Sequence, residues 1–119
     1  MIAVVDDDAA VRVALGRLLR GAGFDVVTFS SAEDFLERGG SSGPDCLLLD
    51  IHLGGMSGLE LREELVRTGS RVPVVFITAH DDPTTRQGLR EAAGVPCLRK
   101  PFDEALLFEA IESARSAPP

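Results

Sequence analysis

Short apolar runs alternate along this chain with segments in which apolar residues recur every three or four positions. The runs have the length of strands and are rich in β-branched residues and leucine. They predict β-strands over residues 2–5, 26–29, 46–49, 74–77 and 95–98. The intervening helical period is clearest between residues 11 and 22, and it predicts further helices around 31–38, 59–66, 84–93 and 106–114.

The order of these elements predicts an α/β fold. Successive strands start about 20–28 residues apart, the length of a strand-helix-strand crossover. Five such units predict a doubly wound (βα)5 arrangement around a five-stranded parallel sheet. Residues 26–29 alternate partly between apolar and polar, which suits an edge strand, and Pro96 lacks the amide donor that a central strand needs. The strand order 2-1-3-4-5 places both segments at edges.

Length and charge exclude several classes of protein. The 119 residues suit a single core, and we expect one domain over residues 1–116, with 117–119 as a tail or the start of a linker. A net charge of −7 repels nucleic-acid phosphates and anionic membranes, and no apolar run approaches the roughly 20 residues that span a bilayer. We therefore expect a cytoplasmic protein that binds neither directly.

Reactive side chains gather where the predicted strands end. Ligands of open parallel sheets bind beyond the carboxyl ends of the strands. The residues that stand there are Asp6, Asp7 and Asp8 after the first strand, Asp50 after the third, Thr78 after the fourth and Lys100, the only lysine, after the fifth. A helix cap explains Asp8, but it does not explain Asp50. Clustered carboxylates attract a hard divalent cation, Mg²⁺ by preference with Mn²⁺ as a substitute.

The joint order of five motifs resembles the response-regulator receiver domain, the CheY-like module of two-component signalling. The motifs are VVDDD at 4–8, LLLD at 47–50, GMSGLEL at 55–61, PVVFITA at 73–79 and KPF at 100–102. The resemblance covers essentially the whole chain and is closest to FixJ-like receivers. It implies a flavodoxin-like or CheY-like fold and a cis peptide bond between Lys100 and Pro101.

The resemblance also implies a role for each site residue. Asp50 would accept a phosphoryl group from a sensor histidine kinase. The metal would be held by Asp6, Asp7, Asp50 and the backbone carbonyl of His52. Thr78, the Ala79 amide and Lys100 would bind the phosphoryl oxygens, with Thr78 acting as the switch. The only chemistry implied is self-catalysed phosphotransfer and slow hydrolysis, so we expect no other enzyme activity.

Output is expected from a C-terminal or separate domain, or from a homodimer formed through the fourth helix, the fifth strand and the fifth helix.

Two features depart from the family pattern or vary within it. Cys97 stands three residues before Lys100, where the family usually has an aromatic residue. His52 and His80 lie two residues beyond Asp50 and Thr78, at positions that tune phosphoryl lifetime in the family.

Three alternative functions have sequence features against them. A dehalogenase-type phosphatase needs a second acid two residues after its aspartate, where this chain has His52. A dinucleotide-binding protein needs a glycine-rich turn after the first strand, where this chain has DDDAAVR. A pseudo-receiver that acts without phosphorylation has the intact set of Asp6, Asp7, Asp50, Thr78 and Lys100 against it, but it stays open because Cys97 replaces the aromatic residue of the output step. Cys46 and Cys97 are predicted to be free thiols, because the fourth strand separates them.

Overall fold

A computed structural model describes residues 1–38, 43–79, 82–92 and 94–116 of the chain. Within these ranges, strands and helices alternate as the sequence predicts. In chain order they are β1 (Ile2–Val5), α1 (Ala9–Gly21), β2 (Val26–Phe29), α2 (Ala32–Glu37), β3 (Cys46–Asp50), α3 (Gly58–Arg67), β4 (Val74–Thr78), α4 (Pro83–Glu91), β5 (Cys97–Arg99) and α5 (Glu104–Ser116). The predicted tail, residues 117–119, lies outside the described residues.

The strands form one parallel sheet in the order β2-β1-β3-β4-β5, which confirms the predicted fold and topology. The three central strands are buried along their whole length. This burial agrees with their continuous apolar sequence, because helices cover both faces of a doubly wound sheet. The register pairs Val5 with Leu49, so the residues that follow, Asp6 and Asp50, leave the sheet side by side.

The last strand is shorter than predicted and begins later. The sequence predicts it over residues 95–98, whereas β5 begins at Cys97 and ends at Arg99. Pro96 therefore precedes the strand instead of lying within it. Its carbonyl accepts a hydrogen bond from the Phe76 amide at 2.9 Å, so proline contributes its acceptor to β4 and has no amide to leave unpaired.

Two apolar layers hold the sheet. On one face, α1 and α5 pack against the side chains of alternate strand positions, with Leu19, Leu107 and Ile111 fully buried. On the other face, α2 and α3 contribute Phe35 and Leu61. The two layers fix the strands in position, and so they fix the strand ends where the polar residues stand.

Helix caps account for several polar residues near those ends. Asp8 caps α1 by accepting a hydrogen bond from the Ala10 amide at 2.9 Å, as the sequence predicts. Ser57 and Glu60 form a reciprocal capping box at the start of α3. Asp82 caps α4 through the Thr85 amide. The capping role of Asp8 leaves Asp6 and Asp7 to the site.

The two cysteines are both free thiols, as predicted. Cys46 is fully buried, and burial raises the pKa of its thiol to about 12. Cys97 is exposed on the edge strand. In the part of the chain that the structure describes, no helix is long and apolar enough to cross a membrane.

Candidate functional site

The carboxyl edge of the sheet brings together the polar residues that the sequence singled out. Asp6 and Asp50, which follow or end β1 and β3, are buried, with 1% and 5% of their surface exposed. Thr78 ends β4 and is equally buried, at 4%. Buried polar groups at the ends of neighbouring strands are costly unless they have partners, so their clustering here is a functional feature of the fold.

Three carboxylates of this edge could hold a metal ion. Asp6, Asp7 and Asp50 each offer an oxygen, and these oxygens lie within 4.8 Å of one another. Asp7 is exposed, so the cluster has an open side toward solvent. An all-oxygen donor set of this charge fits a hard divalent cation such as Mg²⁺, which keeps part of its water shell. The predicted fourth ligand, the backbone carbonyl of His52, stays a prediction.

Lys100 lies between the two buried carboxylates. Its Nζ donates to Asp6 Oδ2 at 2.9 Å and to Asp50 Oδ2 at 3.5 Å. Burial lowers the pKa of Lys100, but the hydrogen bond from Lys100 to Asp6 and the charges of both carboxylates outweigh it, so the pKa lies above its ordinary value. The lysine is therefore a fixed positive charge that faces the acidic cluster.

The surroundings of Asp50 raise the pKa of its carboxyl group. Burial raises its pKa, the His52 amide opposes this by donating to Asp50 Oδ1 at 3.0 Å, and the charge of Asp6 raises the pKa further. Lys100 offsets only part of these effects. The ionised carboxylate is thus incompletely neutralised, and a bound cation would stabilise it.

The ends of β4 and β5 are joined behind the cluster. The Lys100 amide donates to the Thr78 carbonyl at 2.7 Å, which fixes the start of the loop that carries Lys100 relative to Thr78. The Lys100–Pro101 peptide bond is cis, as the family resemblance implies. Ala79 follows Thr78 and is exposed. Thr78, with its hydroxyl group, and the Ala79 backbone therefore lie at the carboxyl edge of the sheet, where the chain leaves β4 toward α4.

The structure describes one of the two histidines that the sequence singled out. His52 is half-buried, and its Nε2 lies 3.0 Å from Oγ1 of Thr85 in α4. Thr85 is itself buried, at 2% exposure. His80 lies outside the described residues, so its predicted role stays a prediction, as does the lifetime-tuning role of His52. Cys97, at the position where the family usually has an aromatic residue, is exposed on β5.

Sequence reasoning missed three residues that support the site. Thr85 holds the His52 ring, and Arg12 donates from Nη1 to the Asp6 carbonyl at 2.7 Å. Glu33 accepts a hydrogen bond from the Met56 amide at 2.8 Å, which keeps the pKa of Glu33 below its ordinary value. Of the three, only Arg12 could have been found from the sequence, because it stands one helical turn after the cap residue of α1. The other two contacts join elements that are distant in sequence.

Comparisons with known proteins identify the family to which the chain belongs. The family described as response regulator receiver domain matches residues 2–112. Nodulation protein W of Bradyrhizobium diazoefficiens is 38% identical over 115 residues, which cover 96% of this chain and 50% of that protein. This chain spans about half the length of the first curated relatives it matches.

Two solved structures extend the comparison to three dimensions. FixJ-N is similar with a TM-score of 0.87 at 32% identity, over 99% of this chain and 94% of that one. The response regulator TrrA of Thermotoga maritima, solved in complex with Mg²⁺ and BeF, has a TM-score of 0.82 at 28% identity, over 95% of this chain and 96% of that one.

Proposed function

The chain belongs to the response-regulator receiver domains of two-component systems, and from this premise we propose that Asp50 accepts the phosphoryl group. One observation carries the proposal. Asp50 is a buried carboxylate at the end of a central strand, with Lys100 Nζ at 3.5 Å and with oxygens of Asp6 and Asp7 within 4.8 Å. This is the arrangement of a nucleophile whose surroundings neutralise transferred phosphoryl oxygens.

The chemical step is a displacement at phosphorus. A carboxylate oxygen of Asp50 forms a bond to the phosphorus of a phosphohistidine, and the phosphorus–nitrogen bond breaks. The electron pair of that bond leaves with the kinase imidazole. Hydrolysis later breaks the acyl phosphate with water and restores the Asp50 carboxylate and inorganic phosphate. Receiver domains are signalling modules, and we propose that these two self-catalysed steps are the chemistry of this chain.

The side chains around Asp50 have separable tasks in that step. Asp6, Asp7, Asp50 and the His52 carbonyl would hold Mg²⁺, or Mn²⁺ in its place, and the bound ion would offset negative charge on the phosphoryl oxygens. Lys100 would leave its bond to Asp6 and pair with a phosphoryl oxygen. The Thr78 hydroxyl and the Ala79 amide would donate to the other oxygens, and this contact would make Thr78 the switch.

Partners follow from the class of reaction and from the length of the relatives. A sensor histidine kinase supplies the phosphoryl group, and we place the encounter in the cytoplasm, where kinases have ATP. The relatives are about twice as long as this chain, which supports an output domain in the same or a separate protein. A homodimer through α4, β5 and α5 is supported by exposed apolar residues of two of these elements, Cys97 of β5 and Leu106 of α5.

A pseudo-receiver that acts without phosphorylation is the alternative that the unusual Cys97 favours. Intact mass after incubation with acetyl phosphate separates the two functions. We expect one added phosphoryl group on the wild-type protein with Mg²⁺ present. We expect none without Mg²⁺ and none on Asp50→Asn. A wild-type protein that stays unmodified while circular dichroism shows an intact fold would overturn the proposal in favour of the pseudo-receiver.

A further inference from the structure

Helix α4, next to the candidate site, has a single fully buried residue. Among its residues, Pro83–Glu91, the one that is fully buried is a threonine, Thr85. The helices α1, α3 and α5 each bury leucines instead. Two threonines and an interior glycine, Gly88, also lower the intrinsic helix propensity of α4. Leu89 packs partly buried against the core, so the position of α4 depends on this apolar contact and on what holds Thr85.

The partner of Thr85 comes from the loop that follows Asp50. His52 Nε2 and Thr85 Oγ1 lie 3.0 Å apart, and the Thr85 amide is bonded to its own cap residue, Asp82. The hydroxyl is thus held by His52 while the backbone is held by the helix start. A buried hydroxyl without a partner is unfavourable, so the contact favours the present position of α4 over a displaced one.

His52 also touches the candidate phosphoacceptor. Its backbone amide donates to Asp50 Oδ1 at 3.0 Å, and its side chain reaches α4. On the other side of the loop, the Met56 amide is bonded to Glu33 at 2.8 Å. The loop is therefore held at both sides, and the His52 side chain joins it to α4 by a hydrogen bond. A shift of the His52 backbone on modification of Asp50 would reach Thr85 directly.

The second contact of α4 with this region leaves little room. A Cβ added to Gly88 would lie 2.3 Å from Cδ1 of Leu59 in α3. The two helices thus approach each other closely at a glycine, where a small sliding of α4 changes the packing against Leu59. The hydrogen bond of Thr85, the close approach at Gly88 and Leu89, which packs partly buried against the core, together hold α4 in place.

We propose that the His52–Thr85 hydrogen bond is the contact through which the loop after Asp50 positions helix α4, so that His52 is a positioning residue that links Asp50 to this helix. The inference rests on the proposed function, because the linkage matters only if Asp50 is modified. By thermodynamic reciprocity, a ligand that binds at Asp50 and shifts α4 has an affinity that depends in turn on the position of α4.

Hydrogen exchange of the α4 amides tests the positioning contact in the absence of Mg²⁺ and of any phosphodonor. Thr85→Val removes the hydroxyl at nearly constant volume, Thr85→Ser keeps it, and Thr84→Val makes the same change at the exposed neighbouring threonine. We expect the α4 amides of Thr85→Val to exchange about tenfold faster, the size of effect that one buried hydrogen bond produces. Thr85→Ser and Thr84→Val should stay close to wild type. Equal exchange in Thr85→Val and Thr84→Val would overturn the proposal.

A double-mutant cycle ties the effect to His52. If the two side chains act through one bond, the combined His52→Ala and Thr85→Val protein should exchange no faster than the faster single variant. Additive effects would contradict the contact. The cycle also guards against a Thr85→Val protein that merely folds less well, because a general loss of stability would add to that of His52→Ala.

The link to Asp50 is tested with Mg²⁺ and beryllofluoride as the probe. In the wild-type protein we expect the probe to change the exchange of the α4 amides, and in Thr85→Val we expect that change to be lost while the probe still binds. An undiminished response in Thr85→Val would overturn the link. Failure of the probe to bind wild type would instead count against the proposed function, and the comparison without ligand would still decide whether the contact positions α4.

Discussion

Lys100 performs two opposing tasks at the scale of a single residue. Its ammonium neutralises Asp6 and Asp50 in the unmodified protein, and the proposed mechanism needs the same charge on the phosphoryl group. Because it is bonded to Asp6, a candidate metal ligand, it also competes with a metal ion for that carboxylate. Loss of this one side chain should therefore move metal binding and phosphorylation in opposite directions.

We predict that Lys100→Met binds Mg²⁺ more tightly than wild type and accepts phosphoryl groups at least about tenfold more slowly, since a charge-assisted hydrogen bond is lost from the transferred group. Isothermal titration calorimetry gives the affinity, which suits a chain without tryptophan or tyrosine. Arg17→Met, at an exposed position of α1, is the matched loss of charge and should change neither quantity. Weaker Mg²⁺ binding by Lys100→Met would contradict this competition.

The raised pKa of Asp50 gives a second prediction at this scale. An acid whose pKa is raised by folding stabilises the fold below its unfolded pKa, near 3.8, and loses that contribution as the pH rises through its folded value. Without metal, the ionised Asp50 is therefore a cost at neutral pH. We expect Asp50→Asn to be more stable than wild type to urea at pH 7. The difference should shrink as the pH falls toward 3.8. A difference that is constant with pH would show that burial of the charge is not its cause.

At the scale of secondary-structure elements, the loop between β3 and α3 connects helix α3 to the site. A Cβ at Gly58 would lie 2.2 Å from the Asp50 carbonyl oxygen and 2.9 Å from Ile51 Cα, so α3 begins directly against the backbone of the proposed phosphoacceptor. Backbone atoms cannot move aside as a side chain can. The start of α3 thus fixes Asp50, and even a methyl group there should displace it.

We predict that Gly58→Ala lowers the free energy of unfolding by about 1–3 kcal/mol, the cost of overpacking, and that it also slows phosphoryl acceptance. Gly54→Ala is the matched control in the same loop, because a Cβ there meets nothing within 4 Å. Urea denaturation and intact mass after acetyl phosphate measure the two effects. A Gly58→Ala protein as stable and as active as Gly54→Ala would refute the close approach.

The sequence predicted elements better than the contacts between them. Continuous apolar runs sufficed for β1, β3 and β4, because a strand buried on both faces has no polar position to obscure it. The start of β5 was misplaced, since Pro96 is apolar by sequence and serves only as an acceptor in the structure. The Asp6–Asp50 pair followed from strand order. The His52–Thr85 contact could not be predicted, because its partners are 33 residues apart and no pattern connects them.

At the scale of the whole molecule, metal binding and folding are linked. The chain carries a net charge of −7, and three of its carboxylates converge on one edge. A ligand that binds only the folded state stabilises it by about 2.7 kcal/mol at a hundred times its dissociation constant. Because Asp7 is exposed, its removal should weaken the metal site without disturbing the core.

We therefore expect Mg²⁺ to raise the melting temperature of wild type by several degrees and that of Asp7→Asn by much less. NaCl at matched ionic strength is the control for general screening of the acidic charge, which should act on both proteins alike. Differential scanning calorimetry measures the shift. An equal Mg²⁺-dependent rise in wild type and Asp7→Asn would mean that the ion acts elsewhere.

The central claim, that Asp50 is the phosphoacceptor, is tested most directly by locating the acyl phosphate. Borohydride reduces an aspartyl phosphate to homoserine, which marks the modified residue permanently for peptide sequencing by mass spectrometry. After incubation with acetyl phosphate and Mg²⁺, we predict homoserine at position 50 and unmodified aspartate at positions 6 and 7. Homoserine at position 6 or 7 would contradict the account. So would its absence from all three positions.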